Sequence, residues 1–169
     1  IYLLKTDASG NVLFAKKYGT LNTQDYASFV EETGDKGFII TGYSGSANAD
    51  IILLKTDSVG KTEWSKTFIG NKEDYTACVK QTTDGGYILT GTTNSANSGT
   101  NAYLIKTNAQ GDTSWTKRYG KGSQDSYGLS IEQTVDGGYA LGTSEYFIKT
   151  DSFGNVSWGK SYGATLSFA

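Results

Sequence analysis

The chain of 169 residues is 37% hydrophobic, 13% aromatic and 19% charged, with 22 glycines, which fits a single folded domain and excludes a disordered tail. Its apolar runs are too short for a transmembrane helix. A net charge of -2, with scattered lysines and Arg118 as the only arginine, gives no basis for binding nucleic acid or inserting into a membrane.

The absent residue types narrow the chemistry further. Without histidine the commonest general base and metal ligand is missing, and the lone Cys78 cannot form an internal disulfide. Without methionine the chain is expected to be a processed or partial segment, with any signal peptide lying outside it.

In chain order, the first element is LLKTDASGNVLF at residue 3, and it returns as LLKTDSVGKTEW at 53, LIKTNAQGDTSW at 104 and FIKTDSFGNVSW at 147. The next is DYASFVEET at 25, repeated as DYTACVKQT at 74 and DSYGLSIEQT at 125. A third, TGDKGFIITG at 33, repeats as TTDGGYILTG at 82 and TVDGGYALG at 134. The period is close to 50 residues, and each unit divides into four short strands.

Strand a, of the 26–33 type, carries the small residues Ala27, Ser28, Ala77 and Gly128, suited to a crowded inner position. Strand b (GFIITG, GGYILTG) is continuously apolar, as expected when both faces are covered. Strand c (IILLKTD) is nearly so. Strand d alternates an aromatic, a lysine and an aromatic: Phe14, Lys16, Tyr18; Trp64, Lys66, Phe68; Trp115, Lys117, Tyr119; Trp158, Lys160, Tyr162. Lysines of this kind protect an outer edge strand while their stems lie across aromatic rings. Asp84-Gly85-Gly86 and Asp136-Gly137-Gly138 are expected to give positive φ in the a–b turn. Gly10, Gly60, Gly111 and Gly154 serve the c–d turn.

Four-stranded units in tandem predict an all-β fold, a β-propeller of four-stranded antiparallel blades. Residues 1–169 form one such segment, with strands c and d at 1–18, blades at 25–69, 74–119 and 125–162, and the start of a further strand at 164–169. That is about three and a half blades. A partial ring is expected, either a piece of a larger one or closed by self-association, two copies giving seven blades.

The phrase KTD-xx-G-xxx-W-x-K followed by QTxDGGYxLTG resembles the blades of bacterial and archaeal secreted or surface propeller proteins. More distantly, D-xx-G-xxx-W is similar to the tryptophan-docking phrase of quinoprotein propellers. That resemblance implies a structural role between blades for Trp64, Trp115 and Trp158, with Phe14 packing less fully. It also implies an adjacent cysteine pair in any quinone enzyme of that type, which this sequence lacks.

No residue pattern indicates catalysis. Lys5, Lys55, Lys106 and Lys149 recur once per unit, which favours strand-end ion pairs over a charged ring. Asp25, Asp74 and Asp125 could line a channel mouth, but turn capping is the simpler role. Asp7, Asp57 and Asp151 are replaced once by Asn108, which a turn tolerates and a metal site resists, so neither metal nor cofactor is expected. Cys78 aligns with Phe29 and Ser130 and reads as a core residue.

Function is therefore expected where the units differ, at the b–c loops and d–a linkers. The candidates there are Tyr43, Ser46, Asn48, Asp50, Asn71, Asn94, Asn97 and Asn101, beside Asp25, Asp74 and Asp125. The reading is a non-catalytic, extracellular or cell-surface module for protein binding or assembly. The alternatives are a lectin-like propeller that binds glycans and a fragment of a quinoprotein-like enzyme.

Overall fold

The computed structural model describes residues 1–19, 23–45, 48–70, 72–94, 99–120 and 125–161. These contain fourteen β-strands and no helix. A half blade pairs β1 (Tyr2–Thr6) with β2 (Val12–Lys17). The first full blade runs β3 (Asp25–Glu32), β4 (Phe38–Ser44), β5 (Asp50–Thr56), β6 (Thr62–Phe68). The second runs β7 (Asp74–Gln81), β8 (Tyr87–Thr93), β9 (Asn101–Thr107), β10 (Thr113–Tyr119). The third runs β11 (Gly128–Gln133), β12 (Tyr139–Thr143), β13 (Phe147–Thr150), β14 (Val156–Lys160).

Each sheet is an antiparallel meander in chain order, so the chain is a β-propeller segment of three blades and a half. Ser46, Asn71, Asn97, Tyr162 and the segment 164–169 lie outside the described residues.

Burial follows the sequence pattern. All seven residues of β8 are buried, as its continuous apolar run requires, because neighbouring blades cover both its faces. In β6 and β10 only alternate residues are shielded. Strands β3 and β4 pack on β7, and β7 and β8 pack on β11, so the a strands converge on the inside. Facing surfaces make three cores. Leu3 joins Phe38, Ile40 and Leu54; Ile39, Ile51 and Leu53 meet Val79, Tyr87, Leu89 and Ile105; Ile88, Ala102 and Leu104 meet Ile131, Tyr139, Leu141 and Ile148.

Two details differ from the expectations. Strand a is crowded where a blade precedes it, at Gly128, where a Cβ would collide with Thr90 and the Gly91 carbonyl, and strand b shares the crowding. Gly91 runs so close to β7 that a Cβ would collide with the Tyr75 carbonyl, whereas Ala27 and Ser28 are exposed. In the Asp-Gly-Gly turns only the first glycine has positive φ (79° at Gly85), and the second is needed for space beside Thr107 and the Lys106 ammonium. In the first blade Lys36 takes the left-handed place, at φ 70°, where glycine is the easier residue.

Candidate functional site

The repeated end of the blades, carrying the a–b and c–d turns, is built from recurring structural bonds. The strand-c lysine, buried at Lys55 and Lys106 and half-buried at Lys149, reaches the turn aspartate of the same blade: Lys55 to Asp35, Lys106 to Asp84 and Lys149 to Asp136, each at 2.9 Å. Each ammonium also donates to the carbonyl of the next residue, as Lys106 does to Thr107 at 2.8 Å. The lysines are thus strand-end ion pairs and do not form a charged ring. Hydrogen bonds from the Thr33 hydroxyl and from Lys55 hold Asp35 down to about 2.

In the c–d turn one oxygen of Asp57 accepts the N–H groups of Val59 and Lys61, at 3.0 and 2.8 Å. The amide oxygen of Asn108 accepts from Gln110 and Asp112 at the same distances. An amide oxygen serves as well as a carboxylate here, which explains why asparagine is tolerated.

Strand d stitches each blade to the next one's turn. The Trp64 ring lies edge-on to Tyr87 at 5.7 Å and Trp115 edge-on to Tyr139 at 5.8 Å, while Phe14 meets Phe38 at 6.1 Å. These rings rest on the turn glycines: Phe14 on Gly60, Trp64 on Gly111 and Trp115 on Gly154. Below them, Tyr18 and Tyr119 donate to the carbonyls of Gly60 and Gly154, both at 2.7 Å. Lys66 donates to Asp112 at 2.7 Å and Lys117 to Asn155 at 3.0 Å, so these edge lysines also tie neighbouring blades. Trp158 differs from Trp64 and Trp115. With no following blade among the described residues it lies open against Phe147, at 5.8 Å.

The opposite end carries the candidate binding residues. Asp25, Asn48 and Asp50 line a cleft of about 640 Å³ between the half blade and the first blade. Asn48 and Asn94 share a shallow hollow of about 210 Å³ with Lys72 and Glu73. Several candidates hold their own loops: Asp50 accepts from Gly70 N–H at 3.2 Å, and Asn101 donates to Gly99 at 2.9 Å. Asp125 accepts from Thr100 N–H at 2.9 Å, and this bond keeps its carboxyl below the usual range.

Asp25, Asp74 and Asp125 do not occupy equivalent places. Asp74 N–H donates to Ala49, and the corresponding bond in the third blade is made by Ser126 to Thr100. The extra serine moves Asp125 one residue out of register. Cys78 is a core residue whose thiol is pushed up by burial. Among the described residues no acidic or cysteine cluster is close enough to hold a metal ion.

Sequence reasoning named Tyr43 but not the aromatic cluster that Tyr26 and Tyr75 form with it. Tyr43 is stacked on Tyr26 at 5.0 Å and meets Tyr75 edge-on at 4.9 Å, so three strands of two blades build one cluster. Tyr26 presents an exposed ring and bonds Gln24 at 3.1 Å. The available signal was the tyrosine after the aspartate in both DY phrases.

No protein-family model and no curated protein matches the sequence. Among solved structures the chain is similar to a protein of unknown function from Bacteroides caccae, with a TM-score of 0.63 and 8% identity over 97% of this chain and 58% of that one. The chain thus spans 58% of that protein's length, and at 8% identity the likeness is one of fold.

Proposed function

We propose that the chain is a non-catalytic propeller module that binds protein partners or assembles through its blade faces, outside the cell or at its surface. The observation that carries this is the open face of the third blade. Phe147 and Trp158 are 39% and 43% exposed, although Leu53 and Leu104, the counterparts of Phe147, are both at 0%. An apolar face shaped for stacking that no described residue covers favours association. The resemblance of the repeat to secreted and surface propellers supports the extracellular placement.

The test is sedimentation velocity over a concentration series. The wild-type chain is expected to associate, and Trp158→Glu to reduce it to monomer without altering its circular dichroism. A wild-type chain that stays monomeric at every soluble concentration sinks this reading.

A second reading, glycan binding, is favoured by the tyrosine cluster. The C–H face of a pyranose stacks on an exposed aromatic face, and Asn48 and Asn94 lie on the same end of the blades. Binding to a glycan array that Tyr26→Ala removes is the expected result, and an array without signal rejects it.

A further inference from the structure

The cleft between the second and third blades departs from the repeat in one direction, toward smaller side chains. It measures about 550 Å³ and opens between Tyr119 of β10 on one wall and Tyr146, Ile148, Val156 and Gly159 of the third blade on the other. Both walls belong to complete four-stranded blades.

Three lining positions are reduced relative to the blade before. Where the second blade reads SWTKRY the third reads SWGKSY, so Gly159 stands for Thr116 and Ser161 for Arg118. In the second blade the Arg118 guanidinium lies over the Tyr103 ring at 5.7 Å. In the third, the counterpart of Tyr103 is Tyr146, and the short Ser161 takes the place of the arginine. The third reduction is Ser126, which also lines the cleft and holds the position of Asp74.

Ser126 supplies an independent observation. It is 1% exposed and its N–H donates to the Thr100 carbonyl at 2.9 Å, but its hydroxyl has no hydrogen-bond partner among the described residues. An unpaired buried hydroxyl destabilises a fold, so one placed at a cleft calls for a polar group brought from outside. The described lining directs no charge at that group. Arg118 is its one charged residue, and the guanidinium turns to Tyr103, in the core that faces the first blade. The corresponding cleft in front of the first blade differs, with Asp25 for Ser126 and Thr62 for Val156.

We infer that the cleft between the second and third blades binds a small neutral molecule with an apolar body and one hydroxyl or carbonyl group. The body rests against Ile148, Val156 and the Tyr119 ring, and the polar group pairs with the Ser126 hydroxyl. This goes beyond the association reading and does not depend on it, because Trp158 and Gly159 are neighbours in β14 and so point to opposite faces.

The probe is β-naphthol, two fused rings with one hydroxyl, titrated at neutral pH into the isotope-labelled chain while the amide signals of Gly120, Ser126 and Gly159 are followed by NMR. Saturable shifts are expected with β-naphthol and none with the charged β-naphthoate. Gly159→Thr restores the side chain of the second blade, and a Cβ there meets Ile148 and the Phe147 carbonyl at an ordinary 3.9 Å, so the fold accepts it. It is expected to weaken binding about tenfold by filling the cleft. Ser126→Ala is expected to weaken binding about fivefold and to leave urea stability equal to or above that of the wild type, since its hydroxyl has no partner to lose. Trp158→Glu is expected to leave binding unchanged, which keeps this result separate from that of association. No saturable shift, equal binding of β-naphthoate, binding that Gly159→Thr does not weaken, or a destabilised Ser126→Ala chain overturns the inference.

Discussion

Asp84→Ala is expected to lower the unfolding free energy by about 2 to 3 kcal/mol at neutral pH. Lys106 is only 5% exposed, and its ammonium bonds both carboxylate oxygens of Asp84, at 3.1 and 2.9 Å. Removing the carboxylate leaves a buried cation with the single carbonyl of Thr107. It also leaves the Thr82 hydroxyl and the Gly86 N–H without their acceptor, now at 2.6 and 3.0 Å. The cost falls below that of a fully enclosed pair because the Asp84 side chain is itself 63% exposed. Asp136→Ala should cost less, since the Lys149 side chain is 16% exposed against 7% for Lys106. Urea unfolding of the two variants beside the wild type decides this. An Asp84→Ala chain as stable as the wild type removes the ion pair from the account of the fold.

The same carboxylates set an acid limit. Burial raises the Asp84 carboxyl, but the Thr82 hydroxyl, Lys106 and the Gly86 N–H outweigh it and bring it to about 2, as for Asp35. The unfolded value is about 3.9, so between the two the unfolded chain binds more protons than the folded one. The stabilisation is complete above the unfolded value and is lost as the pH falls through about 2. Urea midpoints should fall with pH below about 4 in the wild type. The fall should be shallower in Asp84→Ala, which has one such group fewer.

The blade architecture was legible because it repeats. Strand b announces two covered faces through an apolar run, and the c–d turn announces itself by keeping an acceptor oxygen and a glycine at fixed spacing. The partnerships were less legible. Lys106 and Asp84 are both conspicuous in their repeats, yet they lie 22 residues apart and meet only because β8 and β9 pair in one register. The link of Lys66 to Asp112 crosses from one blade to the next, so spacing within a unit cannot reveal it.

The candidate binding end was least legible. A single inserted residue, Ser126, takes Asp125 out of the series begun by Asp25 and Asp74, and the tyrosine cluster gathers positions 26, 43 and 75 from two blades. Stacking geometry decides both, and stacking is not written in any one repeat.

Trp115→Ala is expected to cost about 3 kcal/mol, at the low end for an aromatic truncation because the ring is only partly buried. It removes the edge-on contact with Tyr139 and opens a cavity above Gly154, between the second and third blades. Trp158→Ala, the same change on the open face, should cost well under half as much in the monomer. A double-mutant cycle separates the two demands placed on the turn. Gly154 has φ 74°, and a Cβ there would lie 2.9 Å from the Trp115 ring. Gly154→Ala therefore suffers left-handed strain, about 1 to 2 kcal/mol, plus a collision with the ring. In the Trp115→Ala background the ring collision disappears, leaving the strain and the 2.8 Å approach to Lys117 Cγ, a flexible stem that can shift, so the two losses should sum to more than the double variant shows. Additive losses would mean that the tryptophan does not rest on the turn, and the stitching of strand d to the next blade would need another explanation.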